Sequence, residues 1–415
     1  MNLPYPQPVV QDLPDEDQKL LEGIRIIDLT AVLMGPYATQ LLGDMGADVI
    51  KIESLTGDTS RGIGPTRSPG MGSNFLQVNR NKRSIAIDLK SAEGRDIMTR
   101  LIKTADAMVY NVRPAALARL KLSYEDVKAI KPDIIHVGVF GYGQNGPYAN
   151  YPAYDDLIQG AIGLPTLLGR TGDGIPRYVP LAFVDRAVGL SAVNAVTAAL
   201  FHRQRTGRGQ AVEVPMFETM VPFVLGEHFG GEAFNPPEGP YGYQRLLAPE
   251  RRPYATLDGH VCAVIYTDKH WRSFFALTGR ESEFDADPRL QTISARTRHM
   301  SALCAEAAEV FRGDTTQNWL RRLNAADIPC IVLNAPETLM DDPHLKAVDY
   351  FEEVDHPSEG LIRHMRHPTE WSDFTPPPGH PVPRHGQHTR EVLLELGYTA
   401  DDIQNLANGH VITAE

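Results

Sequence analysis

Residues 23–52 read GIRIIDLTAVLMGPYATQLLGDMGADVIKI, and this stretch contains the pattern that decides the fold. Residues 23–29 are short and largely apolar, which is typical of a buried strand. Residues 35–45 predict a helix with Pro36 in its first turn, where a missing backbone N–H costs nothing. Residues 47–52 predict a second strand. A helix between two strands returns the chain far enough for both strands to run parallel in one sheet.

The same alternation continues to about residue 215. Ser91 is a side chain that favours helix N-termini and stands directly before a helical pattern. Gly207 and Gly209 end a long pattern rich in Ala, Val and Leu. The further predicted helices cover 92–104, 124–130 and 187–206, and the further predicted strands cover 107–110, 133–139 and 210–215. The spacing predicts an α/β fold with a Rossmann-like, doubly wound parallel sheet.

The pattern changes after residue 228, where Pro and Gly cluster. Residues 254–264 predict a hairpin because Asp258-Gly259 is a favoured tight turn. Helical patterns then lie at 270–278, 300–312 and 390–396, the last of which is expected to close the chain. We therefore expect a large α/β domain (1–228), a small α+β domain (229–337), and a linker with a C-terminal segment that returns to the large domain (338–415).

Composition excludes several classes of protein. A length of 415 residues predicts at least two domains, and a formal net charge of −12 argues against nucleic-acid binding. No apolar run in the sequence is long enough to predict a membrane span, and the N-terminus lacks the features of a signal peptide. The three cysteines, Cys262, Cys304 and Cys330, have no paired spacing. They predict a reducing compartment, with the cytoplasm as the expected location, and neither disulfides nor a metal site.

Nucleotide-cofactor motifs are absent from the sequence. No G-x-G-x-x-G follows the first predicted strand and no P-loop sequence occurs, which argues against NAD, FAD or P-loop binding. Residues 141–146 space their glycines differently, after the strand predicted at 133–139. Two interpretations stay open for this glycine loop: a flexible connection, or a source of backbone N–H donors for an oxyanion.

Two groups of carboxylates stand near predicted helices. Tyr154-Asp155-Asp156 precedes an apolar helical pattern, and Asp185 precedes the helix predicted at 187–206. Asp185 is interpreted either as a helix cap that accepts backbone N–H bonds or as a catalytic group. The two roles are compatible, because a helix N-terminus would also favour the ionised, nucleophilic carboxylate.

The chain also contains an ordered set of short segments that are weak singly and specific together. They are 29–30 with 35–36, 42–53, Gly57-Asp58 with Arg61, 79–90, 111–114 with Leu117, 154–155, Arg203 with 209–210, Pro383, 386–389 and 396–398. In this order the set resembles the class III CoA-transferases, the family of formyl-CoA transferase and carnitine CoA-transferase. The resemblance covers nearly the whole chain.

The resemblance implies an enzyme that takes acyl-CoA and a small carboxylic acid as substrates, keeps no permanently bound cofactor and forms an interlocked homodimer. Asp185 is implied as the nucleophile, about thirty residues after the pair Tyr154-Asp155. It would attack the thioester to give an aspartyl anhydride, and an aspartyl-CoA thioester would then pass CoA to the acceptor acid. The residues implied for CoA binding are Arg61, Ile87, Lys90, Asn111, Val112 and Arg119; ordinary surface charge is the alternative for the charged ones.

Departures from the family pattern bear on the substrate. Oxalate-specific relatives carry a glutamine where this chain has Leu33, and a run of glycines that is missing near Arg245. Oxalate is therefore disfavoured. Arg245, with Arg251 and Arg252, is expected to pair with the distal carboxylate of a dicarboxylate, unless the three form a solvated basic surface. Gly143, in the glycine loop, is also assigned to the substrate side.

Other activities share this scaffold. Related acyl-CoA racemases carry His-Asp where this chain has Tyr154-Asp155, and a tyrosine is a poor base for an α-proton at neutral pH. CoA transfer between an acyl-CoA and an acid is therefore the leading hypothesis. A racemase, an intramolecular CoA-transferase and a non-catalytic CoA-binding subunit are the alternatives.

Overall fold

The structure is a computed structural model that describes residues 19–376 and 379–414. The strands are β1 (Arg25–Leu29), β2 (Asp48–Glu53), β3 (Lys82–Ile87), β4 (Ala107–Tyr110), β5 (Ile135–Phe140), β6 (Gln210–Pro215), β7 (Tyr254–Ala255), β8 (His260–Ala263), β9 (Cys330–Val332), β10 (Phe351–His356), β11 (Gly360–Met365) and β12 (Ile412–Thr413).

The helices are α1 (Met34–Asp44), α2 (Ser73–Leu76), α3 (Ala92–Thr104), α4 (Pro114–Arg119), α5 (Tyr124–Ile130), α6 (Asp155–Ala161), α7 (Leu164–Thr171), α8 (Phe183–Thr206), α9 (Met216–His228), α10 (Gln244–Leu247), α11 (Asp268–Leu277), α12 (Glu281–Ala286), α13 (Ile293–Arg298), α14 (Met300–Phe311), α15 (Thr316–Ala325), α16 (Pro343–Ala347), α17 (Thr389–Glu395) and α18 (Ala400–Asn408). Short 3-10 helices cover Thr59–Gly62, Gly230–Ala233 and Pro336–Asp341.

The largest sheet has the strand order β12-β3-β2-β1-β4-β5-β6. Strands β1 to β6 are all parallel, and β12 pairs antiparallel with the edge strand β3. In the centre Ile27 of β1 lies between Ile50 of β2 and Met108 of β4. The chain therefore builds outward from β1 through β2 to β3, and on the other side from β4 through β5 to β6. This confirms the predicted doubly wound parallel sheet.

Helices cover both faces of this sheet and bury most side chains of β1 to β5. On one face, alternate strand residues such as Ile27 and Ile85 pack with Ile97 and Leu101 of α3 and with side chains of α5, α17 and α18. Helix α3 begins where Ser91 Oγ accepts the backbone N–H of Gly94 at 2.9 Å. Burying each such isoleucine or leucine stabilises the fold by about 1.5–3 kcal/mol.

The other face is covered by α1 and α8, which pack against each other and against the central strands. A Cβ on Gly189 of α8 would lie 3.0 Å from both the backbone oxygen of Met34 and Cδ1 of Tyr37, so glycine allows the two helices to approach closely. Among the described residues, α8 is the one helix whose length and hydropathy would suffice for a membrane span, contrary to the expectation that no such segment exists. Its buried side chains, including Val188 and Val196, lie within the packed face.

Several observed elements differ from the sequence prediction, and three of these differences concern the large sheet and its helices. Strand β3 was not predicted, because Lys82 and Arg83 open it with charges. Helix α8 starts four residues before its predicted beginning, which places Asp185 inside its first turn. The helix predicted at 390–396 does not close the chain: α18 and β12 follow, since Thr399 caps α18 and its hydroxyl accepts the N–H of Asp402.

The described chain forms two compact units. Unit 1 contains residues 19–158, 181–220, 349–376 and 379–414, and unit 2 contains residues 159–180 and 221–348. The predicted division placed residues 159–180 in the large domain and ended the small domain at 337, so its bounds differ from these units.

Unit 2 is built on a small antiparallel sheet with the order β7-β8-β9. The turn of the β7–β8 hairpin contains the predicted Asp258-Gly259, and Thr256 N–H donates to the backbone oxygen of Gly259. Helices α11, α14 and α15 supply an aromatic core in which Phe311 stacks on Tyr254 at 4.4 Å between ring centres.

Candidate active site

The carboxyl ends of β1 to β6 lie at one edge of the large sheet, because these strands are parallel. Strand order reverses between β1 and β4, and in open α/β sheets ligands bind outside the carboxyl ends at such a point. Leu33 follows β1 and Asn111 follows β4, so these two predicted site residues lie at the reversal. Ile87 ends β3, Lys90 comes shortly after it, and Gly143 follows β5 at the same edge.

The loop from β1 to α1 is held by hydrogen bonds to its backbone. The Asn111 side chain accepts from the N–H of Ala31 at 3.0 Å and donates to the Ala31 oxygen at 2.8 Å. Asp58 Oδ1 accepts the N–H of Val32, a residue held at φ +72°. Leu33 is the residue before α1 and makes no side-chain cap. Asn111 thus uses its amide on this loop, which departs from its implied role in CoA binding.

Fully buried charges anchor the same loop from below. Lys51 Nζ donates to the Thr30 oxygen and to Asp58 Oδ2, both at 2.9 Å. Lys82 Nζ donates to Asp28 Oδ2 at 3.0 Å and to the Pro36 oxygen at 2.8 Å. Burial raises the pKa of the Asp28 carboxyl, but Lys82 and Lys51 outweigh burial and hold this pKa below its usual value. The loop therefore rests on a rigid, charge-balanced base.

Arg61 belongs to this base rather than to an open surface. Its guanidinium makes a bidentate pair with Glu53 at 2.6 and 2.7 Å and lies 3.8 Å from the centre of the Phe75 ring. It also donates to the Pro383 oxygen at 3.2 Å. Burial raises the pKa of Glu53, yet Arg61 and Lys51 lower it to about 2. A guanidinium engaged in this way has little capacity left for a CoA phosphate.

The other residues implied for CoA differ in exposure. Lys90 and Arg119 are exposed, at the carboxyl edge of β3 and at the end of α4. Val112 is half-buried and packs against the core, and Ile87 is buried at the end of β3. Lys90 thus lies beyond the end of β3, which β2 and β1 separate from β4, whereas Arg119 ends the helix that follows Asn111.

The two predicted acidic residues, Asp155 and Asp185, are joined by a hydrogen bond between the side chain of the first and the backbone of the second. Asp155 is the first residue of α6, and its Oδ2 accepts the backbone N–H of Asp185 at 2.9 Å, across thirty positions of sequence. The interpretation of Asp185 as a cap is wrong, because no side chain at the start of α8 caps the N-terminus of this helix. Asp155 satisfies the N–H of the first turn in its place. Tyr154 is 68% exposed.

The proximity of Asp155 changes the acidity of Asp185. Burial and, to a smaller extent, the Asp155 carboxylate together raise the pKa of the half-buried Asp185 carboxyl to about 7, with Arg186 opposing them. The expectation that the helix N-terminus favours the ionised form is therefore corrected, since burial and a like charge outweigh it. Arg186 lies 4.3 Å from the centre of the Tyr37 ring, which fixes the start of α8 against α1.

The glycine loop is held by carboxylates from β6 and α9. Glu218 Oε1 accepts the N–H of Gly143 at 2.9 Å, and Glu213 Oε2 accepts the N–H of Gln144 at 3.4 Å. These two N–H groups are therefore occupied, which argues against their use as oxyanion donors. Glu218 was not singled out from the sequence, although its position three residues after a strand at the carboxyl edge is a usable signal.

An aromatic surface beside this loop also escaped the sequence analysis. Tyr142 contacts the rings of Tyr148, Tyr151 and Phe217 at 5.5, 6.4 and 5.8 Å between centres. Tyr148 and Tyr151 stack on each other and are about half exposed. Closely spaced tyrosines between residues 142 and 154 were the available signal.

Cavity size alone does not locate the site. A cavity of about 970 Å³ in unit 1 is lined by Asp48, Lys82 and Arg83 at the amino ends of β2 and β3. It therefore lies at the sheet edge opposite to Leu33 and Asn111. Arg245 belongs to unit 2, in α10, with its guanidinium 4.7 Å from the centre of the Tyr266 ring.

Comparisons with known proteins point to one family. Residues 21–389 match CoA-transferase family III. A succinate–glutarate CoA-transferase from Agrobacterium fabrum is 31% identical over 400 residues, which cover 93% of this chain and 97% of that protein. A formyl-CoA:oxalate CoA-transferase from Streptomyces avermitilis is 32% identical over 415 residues, covering 95% of this chain and all of that protein.

Solved structures agree with the sequence relatives. The crystal structure of Rv3272 from Mycobacterium tuberculosis superposes with a TM-score of 0.78 and 28% identity, covering 90% of this chain and 99% of that one. A CaiB/BaiF family protein from Brucella suis gives a TM-score of 0.76 with 30% identity over 91% of this chain.

Proposed function

The chain belongs to CoA-transferase family III and is a CoA-transferase, and we propose that it transfers coenzyme A through covalent intermediates on Asp185. The observation that supports this proposal is the setting of Asp185. Its carboxyl is half-buried in the first turn of α8, beside Asp155, with a pKa of about 7. Near neutral pH a large fraction is ionised, and a carboxylate shielded from water is a better nucleophile than an exposed one.

In the first step, an Asp185 carboxylate oxygen attacks the carbonyl carbon of the acyl-CoA thioester. The carbon–sulfur bond breaks, CoA leaves as a thiolate, and a mixed anhydride joins the acyl group to Asp185. The negative charge moves from the carboxylate to the thiolate, so the step needs no net proton transfer.

Two orders remain open for the next steps. The thiolate can attack the aspartyl carbonyl of the anhydride, which releases the first acid and leaves CoA on Asp185 as a thioester. The incoming acid can instead bind before the thiolate reacts. In both orders an acceptor carboxylate finally attacks the aspartyl thioester, and CoA thiolate then attacks the new anhydride at its acyl carbonyl. Asp185 is regenerated as the carboxylate.

The surrounding residues are proposed to position this chemistry. Asp155 orients the start of α8 by accepting the backbone N–H of Asp185 at 2.9 Å, and its negative charge raises the pKa of the Asp185 carboxyl. The N–H of Val184 in the first turn of α8 is the proposed oxyanion donor, since the N–H groups of Asp185, Gly143 and Gln144 are paired with carboxylates. Tyr154, beside Asp155, would contact substrate rather than act as a base.

Substrate recognition is also a proposal. Lys90 and Arg119 would bind CoA phosphates, with Ile87 and Val112 packing near its nucleotide, whereas Arg61 and Asn111 would act through the loop that they support. Leu33 and Gly143 would border the acyl group. The names of the Agrobacterium and Streptomyces relatives refer to succinate, glutarate, formyl-CoA and oxalate. We propose a small carboxylic acid, with a dicarboxylate favoured because of Arg245.

Assembly and location follow from the family as proposals. We propose a homodimer of interlocked chains that works in the cytoplasm, with CoA thioesters as substrates and no resident cofactor. Light scattering of the purified protein at micromolar concentration tests the dimer: a mass of one chain would overturn it.

Isotope exchange tests the proposed activity against its alternatives. The enzyme is incubated with succinyl-CoA and labelled succinate, and label in the thioester is followed. Exchange that is lost in Asp185→Asn supports transfer between acids. Deuterium entering the α-carbon of a 2-methylacyl-CoA in D₂O, without acid exchange, would identify a racemase instead. A protein that binds CoA but catalyses neither reaction would be a non-catalytic subunit.

A further inference from the structure

Three arginines of unit 2 have no carboxylate partner among the described residues. Arg245, Arg251 and Arg252 form no ion pair with any residue that the structure describes. Some other arginines of this unit are paired: Arg289 contacts both Asp287 and Glu306. In a chain with 52 carboxylate side chains and 40 basic ones, three neighbouring unpaired guanidiniums form an unusual concentration of positive charge.

The three arginines line one cavity of about 230 Å³, formed entirely within unit 2. Arg251 and Arg252 are exposed and Arg245 is half-buried, so the charge lies toward solvent. The buried lining is different in character: Tyr254, Met300 and Cys304 are each less than 8% exposed. The cavity thus joins a cationic opening to a largely apolar interior.

Size and polarity define what fits. A volume of 230 Å³ equals that of about eight water molecules, which suits an organic acid of about eight to ten non-hydrogen atoms. Guanidinium groups bind carboxylates in a bidentate manner. Met300 and Ile265 would contact methylene groups, which inorganic phosphate lacks. Charge and shape together therefore favour a short aliphatic carboxylate.

We propose that this cavity is a binding site for a small organic carboxylate, such as a dicarboxylate of four or five carbons. The proposal that the cavity binds a carboxylate does not depend on the proposed function. Only the further assignment of this carboxylate as the acceptor in CoA transfer rests on the proposed function. The carboxylate in the cavity is either the acceptor acid of CoA transfer or a free acid that takes no part in the reaction. Steady-state kinetics distinguish the two.

Cysteine protection tests the site directly. Cys262 and Cys304 line the cavity, and Cys330 lies outside it. Alkylation by iodoacetamide is followed at each cysteine by peptide mass spectrometry, in the Asp185→Asn enzyme so that turnover plays no part. Glutarate at ten times its Kd should slow the alkylation of Cys262 by about tenfold and leave Cys330 unaffected. Equal protection by the neutral glutaramide, or by phosphate, would overturn the proposal.

Matched variants then test the arginines. Arg245→Gln and Arg251→Gln should each weaken glutarate binding by about tenfold or more, measured by the same protection. Arg321→Gln removes an exposed arginine of unit 2 outside the cavity and should leave binding unchanged. Equal weakening by Arg321→Gln would contradict a specific site.

Steady-state kinetics separate the two sources in the enzyme with Asp185. If the cavity holds the acceptor, Arg245→Gln raises KM for glutarate by about tenfold and leaves KM for acetate unchanged. If the cavity holds a free acid that takes no part in the reaction, Arg245→Gln abolishes the protection of Cys262 by glutarate but leaves KM for glutarate unchanged. A parallel rise in both KM values with intact protection would contradict the assignment of Arg245 to the cavity.

Discussion

Unit 1 contains two groups of shielded charges that differ in net charge. Beneath the loop from β1 to α1, Asp28 and Asp58 are each matched by a buried lysine, and their pKa values are lowered. At the start of α8, Asp185 faces Asp155, and its pKa is raised to about 7. The first group is electrically balanced and supports backbone; the second has excess negative charge. The difference indicates that a shielded carboxylate beside another carboxylate belongs to a functional site, whereas a shielded carboxylate paired with a lysine has a structural role.

Removing the carboxylate of Asp185 should have the largest effect. Asp185→Asn keeps the shape of the side chain but cannot form an anhydride, so transfer should fall by at least about 10³-fold while CoA binding stays within about threefold. Initial rates of succinate exchange and a CoA binding titration measure both. Asp156→Asn, an exposed residue one position after Asp155, is the control and should keep activity within about twofold.

Breaking the balanced group should affect stability rather than chemistry. Lys51→Met leaves Asp58 buried without its partner, and should lower the free energy of unfolding by about 3–5 kcal/mol. Urea denaturation measures the change. Lys103→Met, on the exposed side of α3, should change it by less than about 0.5 kcal/mol. A loss in Lys51→Met no greater than in this control would contradict the structural role of the buried pair.

The pH profile should report the like-charge pair. Because Asp185 must be ionised to attack, kcat/KM should rise with pH through about 7. Asp155→Asn keeps an oxygen that can accept the Asp185 N–H but removes the negative charge, so the midpoint should move to lower pH by about one unit. A midpoint that stays in place or moves to higher pH would show that Asp155 does not set the acidity of Asp185.

The smallest expected effect is a gain in stability. The folded-state pKa of Asp185 lies above its unfolded value of 3.8, so the folded protein binds more protons between these two values. Stability is therefore lost as the pH rises from about 4 to 7. Asp185→Asn should raise the free energy of unfolding at pH 8 by about 1–3 kcal/mol, allowing for screening by solvent. The gain should shrink toward pH 4; a gain that is constant with pH would contradict the account.

The sequence pattern predicted those helices and strands that depend on residues close to one another in the sequence. The strand, helix and strand within residues 23–52 appear as β1, α1 and β2, shifted by two residues or fewer at most ends, because apolar periodicity and the turn glycines specify them. β3 was missed because Lys82 looks like a surface residue in isolation. Its partner Asp28 is fifty-four positions away, so the pairing that permits its burial is visible only in three dimensions.

The site shows the same division. The resemblance and the carboxylates directed attention to Asp155 and Asp185, which the structure brings into contact. The direction of the pKa shift at Asp185 could not be predicted, because the helix terminus is local whereas burial and Asp155 are tertiary. The sequence also could not show that Asn111 and Arg61 support the loop instead of lying exposed to bind a ligand. Their partners, a loop carbonyl and a buried glutamate, are visible only in the structure.

Intact mass spectrometry tests the central claim most directly. The enzyme is mixed with succinyl-CoA without an acceptor, quenched in acid, and compared with Asp185→Asn. The account predicts an added mass of a succinyl group or of CoA that hydroxylamine removes, and that is missing from the variant. An adduct of the same mass on Asp185→Asn, or no adduct on an enzyme that still exchanges labelled succinate, would contradict Asp185 as the nucleophile.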